Sequence, residues 1–265
     1  MSLATVFSRA LSGMNAPLVE VEAHLANGLP AFNIVGLPDT EVKESRDRVR
    51  AAILQAGFDF PSKKITVNLA PADLPKDSGR FDLPIAIGIL IASGQIMADD
   101  VAQYEFAGEL ALSGCLRPIR GALAMAVACA QSHRAFVLPS ESAEQAALLE
   151  QINVYAADSL SSVAAHLNRV RLLDAVMPVE VVLDLTDLAD LSEVKGQYSA
   201  RRALEVAAAG GHNLLMMGPP GTGKSMLAQR LPSILPPLTL DERLSVASIR
   251  SLLLQHSHEV LPQVR

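Results

Sequence analysis

At 265 residues, half of them hydrophobic, the chain can form one large domain or two modest ones around a sizeable core. A formal net charge of −6 gives no support for nucleic-acid binding by the chain as a whole, because phosphate recognition needs a basic face. No apolar run reaches membrane-spanning length, and no basic segment followed by an apolar stretch opens the chain. The two cysteines, Cys115 and Cys129, lack metal-ligand spacing. The expectation is a cytoplasmic protein with buried, reduced thiols and no membrane segment.

In chain order, Leu18–Glu22 alternates apolar with acidic residues, Pro30–Val35 follows a turn at Gly28, and Lys64–Leu69 repeats the period of two, so all three read as strands. Between the second and third, Thr40–Gln55 reads as an amphipathic helix. Charges lie on one side, and Val42, Val49, Ile53 and Leu54 on the other. Leu83–Ser93 is apolar all round and predicts a buried helix. Tyr104–Leu110, Ala135–Leu138 and Asn153–Ala157 read as strands, with helices near Gly121–Ser132, Glu141–Leu149 and Leu160–Leu167.

This order predicts an α+β domain over residues 1–167. The pattern loosens over residues 168–191, which suits a linker, and a second unit occupies 192–265. It opens with a helix, Ser199–Ala209, closed by Gly210-Gly211. The apolar run His212–Met217 then suits a buried parallel strand and Ser225–Leu231 a helix.

Between that strand and that helix lies Gly218-Pro219-Pro220-Gly221-Thr222-Gly223-Lys224-Ser225, a complete G-x-x-x-x-G-K-[ST] loop. Glycines let backbone N–H groups turn inward around phosphates, and a helix N-terminus adds partial positive charge. Lys224 is placed to reach the β- and γ-phosphates of ATP, and Ser225 to ligate Mg²⁺ through the nucleotide. Other candidates are weaker. His256 and His258 point to different faces of any helix and have no third ligand. The pair Asp241-Glu242 follows a Pro-rich turn and opens a helical pattern, rather than ending an apolar strand as a magnesium- and water-organising pair does.

Around the loop, Val194-Lys195-Gly196-Gln197, the run Arg201 to Asn213, and Leu231-Pro232-Ser233-Ile234-Leu235-Pro236-Pro237-Leu238 resemble the start of a magnesium-chelatase-type AAA+ ATPase. Phe32-Asn33-Ile34-Val35-Gly36-Leu37-Pro38-Asp39 and Asn68 to Lys76 are similar to the YifB/ComM family of bacterial competence-linked ATPases. The resemblance implies an α+β Lon-protease-like N-terminal domain followed by the start of an α/β P-loop AAA+ domain, incomplete here. It places Gly196 and Gln197 near the nucleotide base and Gly218 to Ser225 around its phosphates and Mg²⁺. It further implies that the full-length protein is a homo-hexameric, ATP-driven motor for DNA branch migration, acting on branched or single-stranded DNA.

Lon proteases carry a nucleophilic Ser after Pro-Lys-Asp and a Lys after a Pro-Ile-Gly-Gly turn. Here Pro75-Lys76-Asp77 and Pro118-Ile119-Arg120-Gly121 align with those anchors, which puts Phe81 or Asp82 at the Ser position and Leu123 at the Lys position. A leucine cannot accept a proton from a hydroxyl, so a peptidase dyad is not expected, and Ser78 reads as a turn or cap residue. The alternatives carried forward are a magnesium-chelatase subunit, an ATP-dependent protease, and an inactive, truncated binding module.

Overall fold

The computed structural model describes residues 2–97, 99–146, 152–177 and 189–253. The described residues divide into two compact units, 2–177 with 248–253 and 189–247.

The first unit is built on β1 (Ser2–Arg9), β2 (Leu18–Ala26), β3 (Ala31–Val35), α1 (Thr40–Gln55), β4 (Lys64–Ala70), α2 (Asp82–Ala92) and β5 (Tyr104–Phe106). It continues through β6 (Glu109–Leu110), β7 (Leu116–Arg117), α3 (Ala122–Gln131), β8 (Ala135–Pro139), α4 (Ser140–Ala146), β9 (Val154–Ala157) and α5 (Leu160–Leu167). Seven strands form one sheet in the order β3-β4-β2-β1-β5-β8-β9, and β6 and β7 form a separate two-stranded ladder. The pairs β3·β4, β1·β5, β5·β8 and β8·β9 are parallel, while β1·β2 and β2·β4 are antiparallel.

The period of two decides which face is covered. Ala4 and Val6 of β1, Val19, Val21, Ala23 and Leu25 of β2, and Ile65, Val67 and Leu69 of β4 all point into the core. Onto that face α2 lays a helix of Leu, Ile and Ala whose Gly88 lets it approach closely; a Cβ there would lie 3.1 Å from that of Ala23. In α1 the Asp39 carboxylate caps the helix by accepting from Val42 N–H at 2.8 Å. Val42, Val49 and Ile53 are buried as expected, but Leu54 falls one position off the stripe and is exposed.

Two ionic knots lie inside this unit. Glu105, fully buried on β5, accepts two bonds from the Arg9 guanidinium of β1, at 2.7 and 2.8 Å, and one from Arg134 at 3.3 Å. Asp82, fully buried at the start of α2, accepts from Ser45 Oγ, from Arg48 Nε at 2.7 Å and from the Leu110 N–H at 3.2 Å. Burial pushes the Asp82 carboxyl upward from its ordinary range, and the bonds from Arg48 and Ser45 oppose that shift.

Several expectations need correction. The strand β1 carried no signal in the sequence reading, yet it occupies the middle of the sheet. The expected strand Tyr104–Leu110 is divided into β5 and β6: the Ala107 N–H still bonds β8 through Val137 O, but the Gly108 N–H leaves the sheet for Arg80 O. Cys129 is buried as expected, but Cys115 is exposed in a tight turn closed by the Ala111 N–H to Cys115 O bond. The segment after α5 packs along β9: the Leu173 N–H donates to His166 Nδ1 at 3.0 Å and Val176 N–H to Val154 O at 2.8 Å.

The second unit contains α6 (Tyr198–Gly210), α7 (Lys224–Gln229) and the beginning of α8 (Leu240–Leu253). Its small core is Leu191, Val194, Leu204 and Leu227, with Met216, Leu231 and Ile234 packed at the margin. The run His212–Met217, expected as a buried parallel strand, pairs with no strand among the described residues; Leu215 and Met217 are 82% and 85% exposed. A parallel strand is stabilised by neighbours on both sides, and the described residues 189–253 contain no strand to supply them. His256, His258 and residues 147–149 of the expected helix Glu141–Leu149 lie outside the described residues.

Candidate functional site

The loop of residues 218–225 leaves the exposed run 212–217 and ends in α7. Gly218, Gly221 and Gly223 take φ of +157°, +81° and +82°, a backbone path that only glycine follows without strain. Those positive φ values turn the chain back on itself, and Thr222 Oγ1 ties the turn by donating to Pro219 O at 3.0 Å.

Lys224, the first residue of α7, folds into the concave side. Its Nζ donates to the carbonyls of Gly218 and Pro219, each at 2.8 Å. An ammonium held by two carbonyls across the mouth of a glycine-rich turn can exchange them for anionic oxygens, which make the stronger charge-assisted bond. Ser225 follows on the exposed side of α7. The arrangement therefore fits the phosphates of a nucleotide. For Mg²⁺ it offers the single hydroxyl of Ser225, and no group of three His, Cys, Asp or Glu among the described residues could hold a metal ion.

Of the residues expected near the base, Gln197 reaches this loop: its Nε2 donates to Thr222 O at 3.1 Å. Gly196 and Gln197 both have positive φ, +68° and +51°, and form the bend that starts α6. At the end of α7, Arg230 pairs with Glu193 at 2.6 Å and donates to Met226 O at 3.0 Å. Asp241 and Glu242 lie in the first turn of α8, where Glu242 accepts from the Thr239 N–H at 2.9 Å and its own N–H donates back to Thr239 Oγ1 at 3.3 Å. That reciprocal pair is a helix cap, at the start of the helix that the sequence pattern opens there.

In the first unit, none of the described residues assembles a hydroxyl and an amine at the positions matched to the Lon dyad. Phe81 and Leu123 are buried core residues, and the Asp82 carboxylate is committed to Ser45, Arg48 and Leu110. Ser78 sits at φ +64° in a turn with its Oγ accepting from Arg80 Nε at 2.7 Å. Lys76 is buried and donates to Pro71 O; burial pushes its ammonium below the ordinary lysine range. A serine-directed fluorophosphonate is expected to leave the chain unlabelled, as read by intact-mass spectrometry. Stoichiometric labelling at Ser78 would overturn that expectation.

Comparison with known proteins places this geometry in context. The family model described as subunit ChlI of Mg-chelatase matches residues 21–142, and that described as magnesium chelatase, subunit ChlI, matches residues 190–265. The chain is 50% identical over 252 residues to the uncharacterised protein YifB of Salmonella typhimurium, covering 95% of this chain and 50% of that one. It is also 50% identical over 256 residues to competence protein ComM of Haemophilus influenzae, with the same coverage of each. An uncharacterised protein of Mycobacterium tuberculosis is 40% identical over 253 residues. The chain thus spans about half the length of the curated relatives it matches. Among the described residues no helix is long and apolar enough to cross a membrane.

Proposed function

The chain belongs to the YifB/ComM family of magnesium-chelatase-like proteins, and from that premise we propose that residues 218–225 hold the phosphates of ATP or ADP for an AAA+ motor. The observation that carries the reading is Lys224 Nζ bridging the carbonyls of Gly218 and Pro219 inside a turn made by three positive-φ positions. Gly218, Pro219, Pro220, Gly221, Thr222 and Gly223 supply the backbone around the phosphates, and Lys224 the compensating charge. Bound Mg²⁺ would neutralise phosphate charge, and Ser225 is this chain's ligand to it.

In this reading residues 1–167 are a Lon-like accessory domain without peptidase chemistry, 168–191 a linker, and 192–265 the nucleotide-binding part of the AAA+ module. Hydrolysis in such modules needs an acidic residue to organise Mg²⁺ and the attacking water, and an arginine at the γ-phosphate, supplied across a subunit boundary. Residues 218–225 supply phosphate-binding groups and neither of those two, so they account for nucleotide binding and not for turnover. The Haemophilus relative is named a competence protein; with the family resemblance, we place the full-length protein in the cytoplasm as a ring-forming, DNA-stimulated ATPase.

The test is titration of this chain with fluorescent ADP in the presence of Mg²⁺, alongside ATP turnover by a full-length relative with and without branched DNA. Saturable binding by the chain and DNA-stimulated turnover by the relative are expected. No binding at millimolar nucleotide, or turnover indifferent to DNA, would overturn the corresponding half of the reading.

A further inference from the structure

The bend before α6 holds a non-glycine residue in the left-handed region. Gln197 has φ +51° and ψ +38°, and its side chain makes no capping bond to the helix it starts. For an L-residue that conformation is strained and persists only where something else fixes it. Directly before it, Gly196 also has positive φ, so the chain could have placed a second glycine at 197 without strain. What the glutamine gains is a single contact, Nε2 to Thr222 O at 3.1 Å.

A trans peptide is planar, with its carbonyl and the following N–H pointing to opposite sides. Holding the Thr222 carbonyl toward Gln197 therefore turns the Gly223 N–H away from Gln197. Among the described residues that N–H has no hydrogen-bond acceptor. The fit at this point is close: a Cβ on Gly223 would lie 3.3 Å from Gln197 Nε2 and 3.3 Å from Met226 Cε.

We infer that Gln197 is a positioning residue for the phosphate loop, fixing the Thr222–Gly223 peptide so that the Gly223 N–H is aimed at a phosphate oxygen before nucleotide arrives. This rests on the reading of residues 218–225 as the phosphate site, and it gives Gln197 a task at the phosphates rather than at the base. Preorganised donors spare the bound state the cost of turning the peptide, so the effect falls on affinity for any polyphosphate, with or without adenosine.

The experiment compares wild type, Gln197→Gly, Gln197→Glu and Lys224→Ala in this chain, titrated with Mg·ADP, with Mg·tripolyphosphate and with adenosine, alongside thermal melting. Gln197→Gly removes the donor while relieving the backbone strain, so its melting temperature is expected at or above that of wild type. Its affinity for ADP and for tripolyphosphate is expected to fall by the same factor, about five- to tenfold, the loss of one hydrogen bond. Gln197→Glu keeps the length but cannot donate and adds a like charge beside the phosphates, so its loss is expected to be at least as large. A loss for ADP with tripolyphosphate unchanged assigns the side chain to the base and overturns the inference. Binding abolished by Lys224→Ala yet unaffected by either Gln197 variant overturns it while leaving the nucleotide site intact. Absence of all binding by wild type overturns the site and the inference together.

Discussion

Replacing Glu105 with alanine is expected to destabilise the first unit by about 3–5 kcal/mol, the range for breaking a buried ion pair from one side. The carboxylate is fully buried and takes both Nε and Nη2 of Arg9, at 2.7 and 2.8 Å, while Arg134 adds a third contact at 3.3 Å. Arg9 is itself buried and keeps only its bonds to Ala16 O and Ser132 Oγ when the carboxylate goes. A guanidinium stranded in the sheet interior then has no counter-charge, and the desolvation it suffered on folding is left uncompensated. Arg134 is less affected, being partly exposed and resting over the Phe7 ring at 4.1 Å. With a urea m-value of about 2 kcal/mol/M, the loss moves the unfolding midpoint down by roughly 1.5–2.5 M. The double variant Arg9→Met with Glu105→Leu removes both charges and should recover most of that shift. Equal midpoints for the single and double variants, followed by the near-ultraviolet circular dichroism of Tyr104 and Tyr155, would show that the ion pair is not the source.

Lys224→Ala is expected to weaken binding of Mg·ADP by about ten- to a hundredfold, the worth of a hydrogen bond to a charged group. The effect on stability is expected to be small, because in the free chain Nζ bonds only loop oxygens: Gly218 O and Pro219 O, with Thr222 Oγ1 further off at 3.4 Å. Lys224→Arg keeps the charge but replaces a compact ammonium with a planar fork too large for the turn, so it should restore little. Titration with fluorescent ADP beside a thermal melt separates the two readouts. Undiminished affinity in Lys224→Ala would remove residues 218–225 from consideration as the phosphate site.

The parts legible in the sequence were those whose signal is local. β2 and β4 announce themselves by alternation against one core face, and α2 by an apolar circumference that can only be buried. The glycine-rich loop is legible because each positive-φ position demands glycine at a fixed spacing. β1 was missed because its inward positions Ala4, Val6 and Ser8 are small or polar while Leu3 on its other face is exposed, and the Glu105 that meets buried Arg9 lies far along the chain. Nothing within Ser2–Arg9 announces that partner. The run 212–217 failed the other way: its apolar residues satisfy a strand pattern, but pattern cannot supply neighbouring strands. Gln197 was read from resemblance as a residue near the base; its hold on Thr222 O depends on the path of two segments 25 positions apart.

The strand order has a consequence in time as well as in space. Among the described strands β1 is made first, and its antiparallel partner β2 follows after a short connection, so Ser2–Arg9 and Leu18–Ala26 can zip together at little cost in loop entropy. Its other edge waits for β5, whose register pairs Phe7 with Glu105. Until about a hundred further residues have followed β1 out of the ribosome, that edge stands open and the Arg9 guanidinium has no Glu105 carboxylate to meet, which at translation speeds of about 5–20 residues per second lasts several seconds. A nascent chain arrested between β4 and β5 is therefore the vulnerable species, with a sheet edge exposed to pairing with other chains.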